Sequence, residues 1–371
     1  HRDYQVPFDR GTLFDLNTRQ PVKVDPKTRF DEPFNITDGE SDLAQLNAEY
    51  RLNSQWTAKF DYSFSQDKYT DNQARVMAYD ATTGNLTRRV DATQGSTQRM
   101  HATRADLQGN LDIAGFYNEI LTGVSYENYD LLRTDMIRCK NVKGFNIYHP
   151  TYGDLSKCTT VSASDSDQTI KQESYSAYTQ DALYLTDKWI AVTGIRYQSY
   201  TQYAGKGRPF NVNTDSRDDR WTPKAGLVYK LTPAVSLFAN YSQTFMPQSS
   251  IASYIGNLPP ETSNAYEIGA KFDLFNGITA NNALFDIHKR NVLYTESIGD
   301  ETVAKTAGRV RSQGVEVDLA GSLTENTNLI ASYGYTDAKV LEDPDYAGKP
   351  LPNVPRHTGA RFMPNAIRND N

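Results

Sequence analysis

Apolar and polar residues alternate along many segments of this chain. In 56–64 every even-numbered residue is apolar or aromatic and every odd-numbered residue is polar. The stretch 266–274 repeats the pattern, with apolar residues set against Glu267, Lys271 and Asp273, and 315–319 does so again. A period of two places successive side chains on opposite sides of a strand. The pattern therefore predicts strands that have one apolar and one polar face.

Counting such segments predicts thirteen strands. We expect them near 43–53, 55–69, 98–111, 116–131, 171–186, 188–203, 220–231, 234–246, 262–275, 277–294, 310–323, 327–341 and 355–363. Pro223 falls inside one of them, and it must lie where its missing N–H costs little, at a strand end or a bulge.

The connections between these strands are short and long in turn. Short ones are Asn53–Ser54, 112–115, Thr186–Asp187, Thr232–Pro233, Asn276–Gly277 and 324–326. Long ones are 70–97, 132–170, 204–219, 247–261, 295–309 and 342–354. Membrane β-barrels have short turns at one end and long loops at the other. The fold class predicted is all-β, an antiparallel transmembrane β-barrel, with a soluble tyrosine-rich β-sandwich as the alternative.

Thirteen is an odd number, whereas single-chain bacterial barrels have an even number of strands and an open edge in lipid is costly. We therefore expect a partial barrel. Residues 1–42 are predicted to be an external loop region, 43–363 the incomplete barrel and 364–371 an irregular tail. The chain starts at His1 without the features of a signal peptide, and both ends are expected to be cut.

Composition narrows the class further. The chain has 371 residues, of which 38% are hydrophobic, and a mean hydropathy of -0.64. No apolar run is long enough for a helical membrane span, but a barrel needs only alternate residues to face lipid. A net charge of -6 without a basic cluster argues against nucleic acid. The 24 tyrosines suit strands and the aromatic girdles of a barrel.

Cys139 and Cys158 fall in the long polar connection 132–170. In an oxidising compartment they would form a disulfide, and in the cytosol they would be free or bind metal. His149 lies between them, but no further ligand follows at the spacing of a zinc site. A disulfide that pins the loop is the favoured hypothesis.

Several segments resemble TonB-dependent siderophore receptors, and they occur in family order. They are Tyr241–Ser249, Leu258–Lys271, Arg311–Asp318, Ala331–Ala338 and Leu351–Thr358. Weaker similarity covers the rest of the chain and is greatest to the hydroxamate, or ferrichrome-type, branch. The loop with Cys139 and Cys158 also resembles a bridged external loop of that branch.

The resemblance implies a barrel of about twenty-two strands around an N-terminal plug. No plug-like segment, energy-coupling box or terminal aromatic strand is found here, so we expect a barrel fragment that does not transport alone. The implied function is uptake of ferric siderophores across the outer membrane of a Gram-negative bacterium. Implied partners are the TonB–ExbB–ExbD complex, through the missing plug, together with membrane lipid and lipopolysaccharide. No cofactor is expected, and no catalytic motif is present.

A ferric siderophore needs aromatic surface and a few polar anchors rather than metal ligands, because its iron is already coordinated. The candidate ligand-binding residues are aromatic side chains of the long loops: Tyr79, Phe145, Tyr148, Tyr152, Tyr203 and Tyr254. The alternative for each is a girdle residue or part of a loop's own small core. Lys59, Asp61, Glu267, Lys271, Asp273, Glu316 and Asp318 are expected to face the lumen. Arg309, Arg311 and Arg356 lie near strand ends, where a solvated face is favoured over pairing with lipopolysaccharide phosphates or loop carboxylates.

Two other functions remain open from the sequence. A passive porin-like barrel would need no plug, but it leaves the receptor-like segments without a role. A soluble β-rich binding module would need a polar outer surface instead of an apolar band.

Overall fold

In the computed structural model of this chain, the structure describes residues 2–4, 14–15, 18, 20–25, 27–153, 158–253, 258–274, 277–298, 301–324, 327–343, 346–351 and 353–362. Within these residues the secondary structure is strand and turn, without an α-helix. A search of the same residues finds no helix with the length and apolarity to cross a membrane.

Thirteen strands of six or more residues make up the described fold. They are β4 (Ile36–Arg51), β5 (Trp56–Asp80), β6 (Asn85–Ile113), β7 (Phe116–Arg138), β9 (Gln168–Tyr184), β10 (Trp189–Lys206), β11 (Asn211–Thr232), β12 (Val235–Met246), β13 (Glu261–Asp273), β14 (Thr279–Ile298), β15 (Glu301–Thr324), β16 (Thr327–Glu342) and β17 (His357–Phe362). Four shorter ones are β1 (Arg2–Tyr4), β2 (Phe14–Asp15), β3 (Gln20–Pro21) and β8 (Val142–Asn146).

The long strands form one antiparallel meander in which each pairs with the next along the chain. β1 extends the path beyond β4, β8 pairs with β6, and β2 pairs with β3 in a separate ladder. In the described part of the chain the two ends of the path, β1 and β17, are not hydrogen-bonded to each other. The sheet is therefore an open wall, as expected for a partial barrel.

The register aligns the apolar positions of neighbouring strands into one continuous band. One row across six strands contains Phe60, Ala105, Val124, Ala177, Tyr197 and Trp221, each paired with the next. A second row joins Leu227, Ala239, Ile268, Leu284, Val315 and Tyr335.

The side chains of this apolar band remain uncovered: Val124 is 56% exposed, Trp221 59% and Ile268 56%. A soluble sandwich would bury such residues between two sheets, so the sandwich alternative is wrong. Lipid is the solvent that an exposed apolar band of this kind requires.

The opposite face of the sheet, which we call the inner face, is lined by paired polar groups. Arg104 contacts Asp61 at 3.2 Å and Asp106 at 2.9 Å, and Asn240 donates a hydrogen bond to Glu267 at 3.0 Å. All of the residues predicted to face the lumen alternate with the apolar band and lie on this face: Lys59, Asp61, Glu267, Lys271, Asp273, Glu316 and Asp318.

The thirteen predicted strands are confirmed, but several predicted loops are wrong. β5 and β6 continue through 70–97 to a turn at 81–84, and β10 and β11 continue through 204–219 to a turn at 207–210. β14 and β15 likewise stay paired through most of 295–309. Beyond the hydrocarbon the regular alternation of apolar and polar residues is interrupted while the backbone ladder persists. β4 begins at Ile36, seven residues before the predicted boundary, and the domain division at 42/43 stays a prediction.

The ladder between β11 and β12 covers only part of both strands. Its last pair is Lys224 with Ser242, and from Pro223 back to Asn211 β11 is paired with β10 alone. Proline has no N–H to give to a neighbouring strand. Pro223 therefore lies where pairing with β12 ends, but it is inside β11 and at neither a strand end nor a bulge, in contrast to its predicted placement. From here towards the long-loop end, β11 and β12 are not paired with each other.

Candidate functional site at the long-loop end

A compact group of apolar side chains, here called the loop cluster, closes the long-loop end of β5 and β6. Its buried members are Phe30, Leu86, Phe145 and Ile147, and Val22, Val24, Val76 and Tyr79 pack around them. The segment 22–35 contributes part of the cluster, and β8 with the residues that follow it contributes another. Because these segments are far apart in sequence, the cluster fixes three connections against one another.

A buried ion pair holds the segment 22–35 in place. Arg88 in β6 is 2% exposed and contacts Glu32, which is 0% exposed, at 2.6 Å. The same guanidinium donates to the carbonyl oxygens of Phe30 and Asp31 at 3.2 and 3.3 Å and lies 3.7 Å above the centre of the Phe145 ring. The second carboxylate oxygen of Glu32 accepts a hydrogen bond from the Gly153 N–H at 2.8 Å. Both charges are therefore fully partnered, as a buried pair requires.

The structure brings four of the six predicted ligand-binding aromatics together at this cluster. Phe145 is 3% exposed, which corresponds to the alternative of a loop core, and its ring centre lies 5.6 Å from that of Tyr152. The Tyr152 hydroxyl donates to the Arg29 carbonyl oxygen at 3.1 Å. Tyr148 is exposed, and burial followed by the proximity of Tyr148 raises the pKa of the Tyr79 phenol.

The other two aromatics do not join this group. Tyr203 lies in the β10–β11 hairpin, where its ring stacks on Phe210 with 6.0 Å between centres. Tyr254 falls outside the described residues. Ligand contact stays a prediction for all of the candidates.

Cys139 and Cys158 form the predicted disulfide, with their Cα atoms 6.0 Å apart. The bridge packs with Phe34 against Ala74 and Val90, next to the loop cluster. Among the described residues no group of three or more His, Cys, Asp or Glu side chains is placed to hold a metal ion. The His149 N–H donates to the Asn146 side-chain oxygen at 3.2 Å.

On the inner face of the same strand ends lies an ion-pair group, here called the basic network: Arg75, Arg89, Asp91, Arg138, Asp165 and Lys206. Asp91 contacts all three arginines, and the Arg89 guanidinium donates hydrogen bonds to both carboxylate oxygens of Asp91, at 2.8 and 3.3 Å. Asp165 contacts Arg138 at 3.5 Å and Lys206 at 2.7 Å. Four cationic side chains thus meet at two carboxylates, and Asp71 also interacts electrostatically with Arg138.

The basic network was not predicted, because its members are dispersed in sequence and only the register of the strands assembles them. Asp91 pairs with Arg138 across β6 and β7, and Arg75 pairs with Arg89 across β5 and β6. Since Ala74 and Val90 lie between these residues along the strands, the network and the disulfide pack on opposite faces of the wall.

Two of the three arginines predicted for strand ends have carboxylate partners in the sheet. Arg311 forms two hydrogen bonds to Asp286, at 2.8 and 2.6 Å, and Arg309 contacts Glu342. Both partners are strand residues, Asp286 in β14 and Glu342 at the end of β16, and not the loop carboxylates of the prediction. Lipopolysaccharide contact stays a prediction.

Residues 1–363 match the family model described as TonB dependent receptor-like, beta-barrel. The chain is 30% identical over 370 residues to the metal-pseudopaline receptor CntO of Pseudomonas aeruginosa, covering 97% of this chain and 51% of that receptor. It is 27% identical over 264 residues to the ferrichrome outer membrane transporter/phage receptor of Escherichia coli, covering 68% of this chain and 34% of that protein.

Solved structures show the same fold. The siderophore receptor PiuA of Acinetobacter baumannii matches with a TM-score of 0.78 at 17% identity, covering 96% of this chain and 57% of that chain. The ferric-catecholate import receptor Fiu of E. coli matches with a TM-score of 0.77 at 18% identity, covering 94% and 54%.

The chain thus spans about half the length of the relatives that it matches. Those relatives are outer-membrane transport receptors and not enzymes. On the match over residues 1–363, this chain belongs to the TonB-dependent receptor family and forms part of its outer-membrane β-barrel.

Proposed function

We propose that the protein takes up a ferric siderophore across the outer membrane of a Gram-negative bacterium, energised through TonB. The observation that carries the proposal is the wall itself, with a lipid-facing apolar band on one side and a polar inner face that leads to aromatic and basic groups at the long-loop end. A passive porin would share the band. The family match over residues 1–363 supports a receptor instead.

The chemistry of the inner face bears on the ligand. The sequence resemblance predicts a hydroxamate siderophore, and the E. coli relative is named for ferrichrome, whereas the P. aeruginosa relative is named for metal-pseudopaline. The guanidinium groups of the basic network favour a chelate that carries carboxylates, because guanidinium groups pair well with carboxylates. We therefore propose an anionic metal chelate as the ligand.

The protein needs no cofactor for this function, since the metal arrives already coordinated. In this proposal exposed tyrosines of the long-loop end, such as Tyr148, supply ring surface and hydroxyl donors. The partners are the TonB–ExbB–ExbD complex, acting through a plug domain, and the lipid and lipopolysaccharide that surround the apolar band.

Binding by the full-length protein in detergent tests the proposal. Isothermal titration with a neutral ferric hydroxamate and with an anionic ferric carboxylate chelate should show binding of the anionic chelate. Replacing two members of the basic network, Arg89→Gln with Arg138→Gln, should weaken that binding at least tenfold. Arg99→Gln is the matched control, because Arg99 lies on the opposite face and bonds Gln66.

Vesicle assays separate the receptor from a porin. A receptor should bind a chelate and leave vesicles closed to small sugars, whereas a porin should swell the vesicles and bind neither chelate. Swelling without chelate binding would overturn the proposed uptake function. Binding of the neutral hydroxamate, equal in the Arg89→Gln/Arg138→Gln double variant and in the Arg99→Gln control, without binding of the anionic chelate, would overturn only the proposal of an anionic ligand.

A further inference from the structure

A polar cavity of about 190 Å³ lies in the wall at the point where β11 and β12 separate. Its lower border is the last paired rung, Lys224 with Ser242. Farther along β11, the loop after β12 returns to the wall: the Ser250 N–H donates to the Thr214 hydroxyl at 2.9 Å, and that hydroxyl donates to the Ser250 carbonyl oxygen at 3.0 Å. The volume is enough for one oxyanion group and several waters, at about 30 Å³ of liquid volume per water.

Side chains from both faces of the sheet line this cavity. Gln243, Asn264 and His288 form one rung on the face of the apolar band, immediately above the pair Tyr241 and Tyr266. Thr244 and Ser263 are directly paired and hydrogen-bonded on the inner face. Residues of both faces thus contribute to the lining, at a height just beyond the apolar band.

The ionisable side chains that line the cavity are all basic. Arg220, Arg290 and His288 face the cavity with the hydroxyl and amide groups of Thr222, Gln243, Thr244, Thr262, Ser263 and Asn264. No Asp or Glu is among these lining residues. Throughout the described residues, neither Arg220 nor Arg290 forms an ion pair with a carboxylate, in contrast to the arginines of the basic network. His288 contacts Asp286 at 3.1 Å, and Asp218 lies two residues from Arg220 on the same face of β11, outside the lining.

Packing positions one of these arginines. The Arg220 guanidinium lies 5.7 Å from the centre of the Phe245 ring, and that buried ring packs on Tyr200 with 5.3 Å between centres. This contact with the Phe245 ring does not use the N–H groups of the Arg220 guanidinium, which stay free to donate hydrogen bonds. Two guanidinium groups, several hydroxyls and the absence of a lining carboxylate make a donor set that suits an oxyanion.

We propose that the cavity between β11 and β12 is an oxyanion site that takes a phosphate or carboxylate group. The tyrosine pair below it, with ring centres 5.1 Å apart, fits an interface girdle, so the cavity lies at the level of lipid head groups. A phosphate of a lipid head group can enter from the outer face, and a dissolved anion can enter from the inner face. This inference does not depend on the proposed uptake function.

Binding of two probes to the full-length protein in detergent tests the site. The probes are inorganic phosphate, by isothermal titration, and lipopolysaccharide with intact or enzymatically removed lipid A phosphates, by retention on the immobilised protein. The double variant Arg220→Gln with Arg290→Gln removes both guanidinium groups. The matched control is Arg217→Gln, which changes an exposed arginine of the same strand outside the lining.

We expect the double variant to weaken binding at least tenfold and the control to change it less than twofold. Retention that requires the lipid A phosphates, without binding of inorganic phosphate, identifies the lipid head group as the source. Binding of inorganic phosphate as well identifies a dissolved anion. Failure of both probes to bind, or equal losses in the double variant and Arg217→Gln, overturns the proposal. Circular dichroism confirms that each variant is folded, and Arg290→Gln alone replaces the double variant if that one fails to fold.

Discussion

At the scale of single residues, the best-defined feature is the burial of two opposite charges where the segment 22–35 crosses the end of β6. Arg88 and Glu32 lose nearly all contact with water, and each has hydrogen-bond partners beyond the other. Such a pair contributes little net stability compared with apolar residues, but removing one partner leaves the other charge buried alone. The pair thus makes the position of segment 22–35 highly specific.

Glu32→Gln should release the segment 22–35 without unfolding the wall. The cost of stranding the Arg88 charge is about 3 kcal/mol or more, so amide hydrogen exchange in 27–35 should accelerate about a hundredfold. Arg29→Gln is the control, because the Arg29–Asp31 pair is partly exposed and contributes at most about 1 kcal/mol. Exchange rates that are equal in the two variants would contradict the role of the buried pair.

A pH-dependent contact lies at the β10–β11 hairpin, outside the apolar band. The Arg208 guanidinium bonds both oxygens of Asp167, at 2.7 and 2.8 Å, and holds the pKa of that carboxyl below its ordinary value. A depressed pKa stabilises the folded state above the unfolded value of about 3.9, and the contribution is lost as pH falls through the folded pKa.

Arg208→Gln should therefore lower the midpoint of thermal unfolding at neutral pH and have progressively less effect below about pH 4. The measurement is the difference in Tm between the natural protein and the variant across a pH series in detergent. A difference that stays constant down to about pH 3 would show that Asp167 and Arg208 do not interact in this way.

Residue identities of the loop site could be predicted only in part. Aromatic side chains in polar loops are conspicuous, so Phe145, Tyr148 and Tyr152 were identified from sequence. The partnership of Glu32 with Arg88 spans 56 residues and depends on how a loop folds back on β6. No local pattern encodes such a contact, and the same holds for the basic network.

At the scale of elements, close contacts between glycines and aromatic rings set how neighbouring strands fit. A Cβ atom at Gly269 would lie 2.2 Å from the Asn282 carbonyl oxygen and 2.5 Å from the Phe238 ring. At Gly226 the nearest atom to such a Cβ would be 3.6 Å away, which is ordinary contact. Glycine is therefore required at the first position and not at the second.

Gly269→Ala should destabilise the protein by about 1–3 kcal/mol, because the ring or the strand must move. Gly226→Ala should change stability by less than about 1 kcal/mol. Urea unfolding of both variants in lipid vesicles, followed by tryptophan fluorescence, compares them directly. Similar midpoints for the two variants would rule out close packing at Gly269.

The number and order of the strands could be predicted from alternation, whereas their lengths could not. Alternation exists only where one face meets lipid and the other meets water. β5 and β6 continue for more than ten residues past that zone, to Asp80 and from Asn85, where Arg88 interrupts the apolar face between Leu86 and Val90. The hydrogen-bond ladder needs no such pattern, so these extensions resembled loops in sequence.

At the scale of the whole molecule, one apolar band runs across the sheet from β5 to β16. Ala239 lies in that band beside Leu227 and Ile268, and its neighbour Asn240 lies on the inner face beside Glu267. Adjacent residues of one strand thus meet hydrocarbon and water, respectively.

Ala239→Arg should lower stability in lipid vesicles by about 2–4 kcal/mol if the residue is near the bilayer midplane. Asn240→Arg should be nearly neutral, since the new guanidinium can pair with Glu267. Folding into vesicles and urea unfolding measure both variants. A larger loss for Asn240→Arg than for Ala239→Arg would reverse the assignment of the two faces.

The loop cluster has a consequence for how this end of the barrel can move. Segment 22–35, the turn after β5 and the chain around β8 are joined by a covalent bridge, a buried charge pair and shared side-chain packing. These three connections must shift together or not at all. Any closing motion at this end therefore falls to connections outside this anchored block.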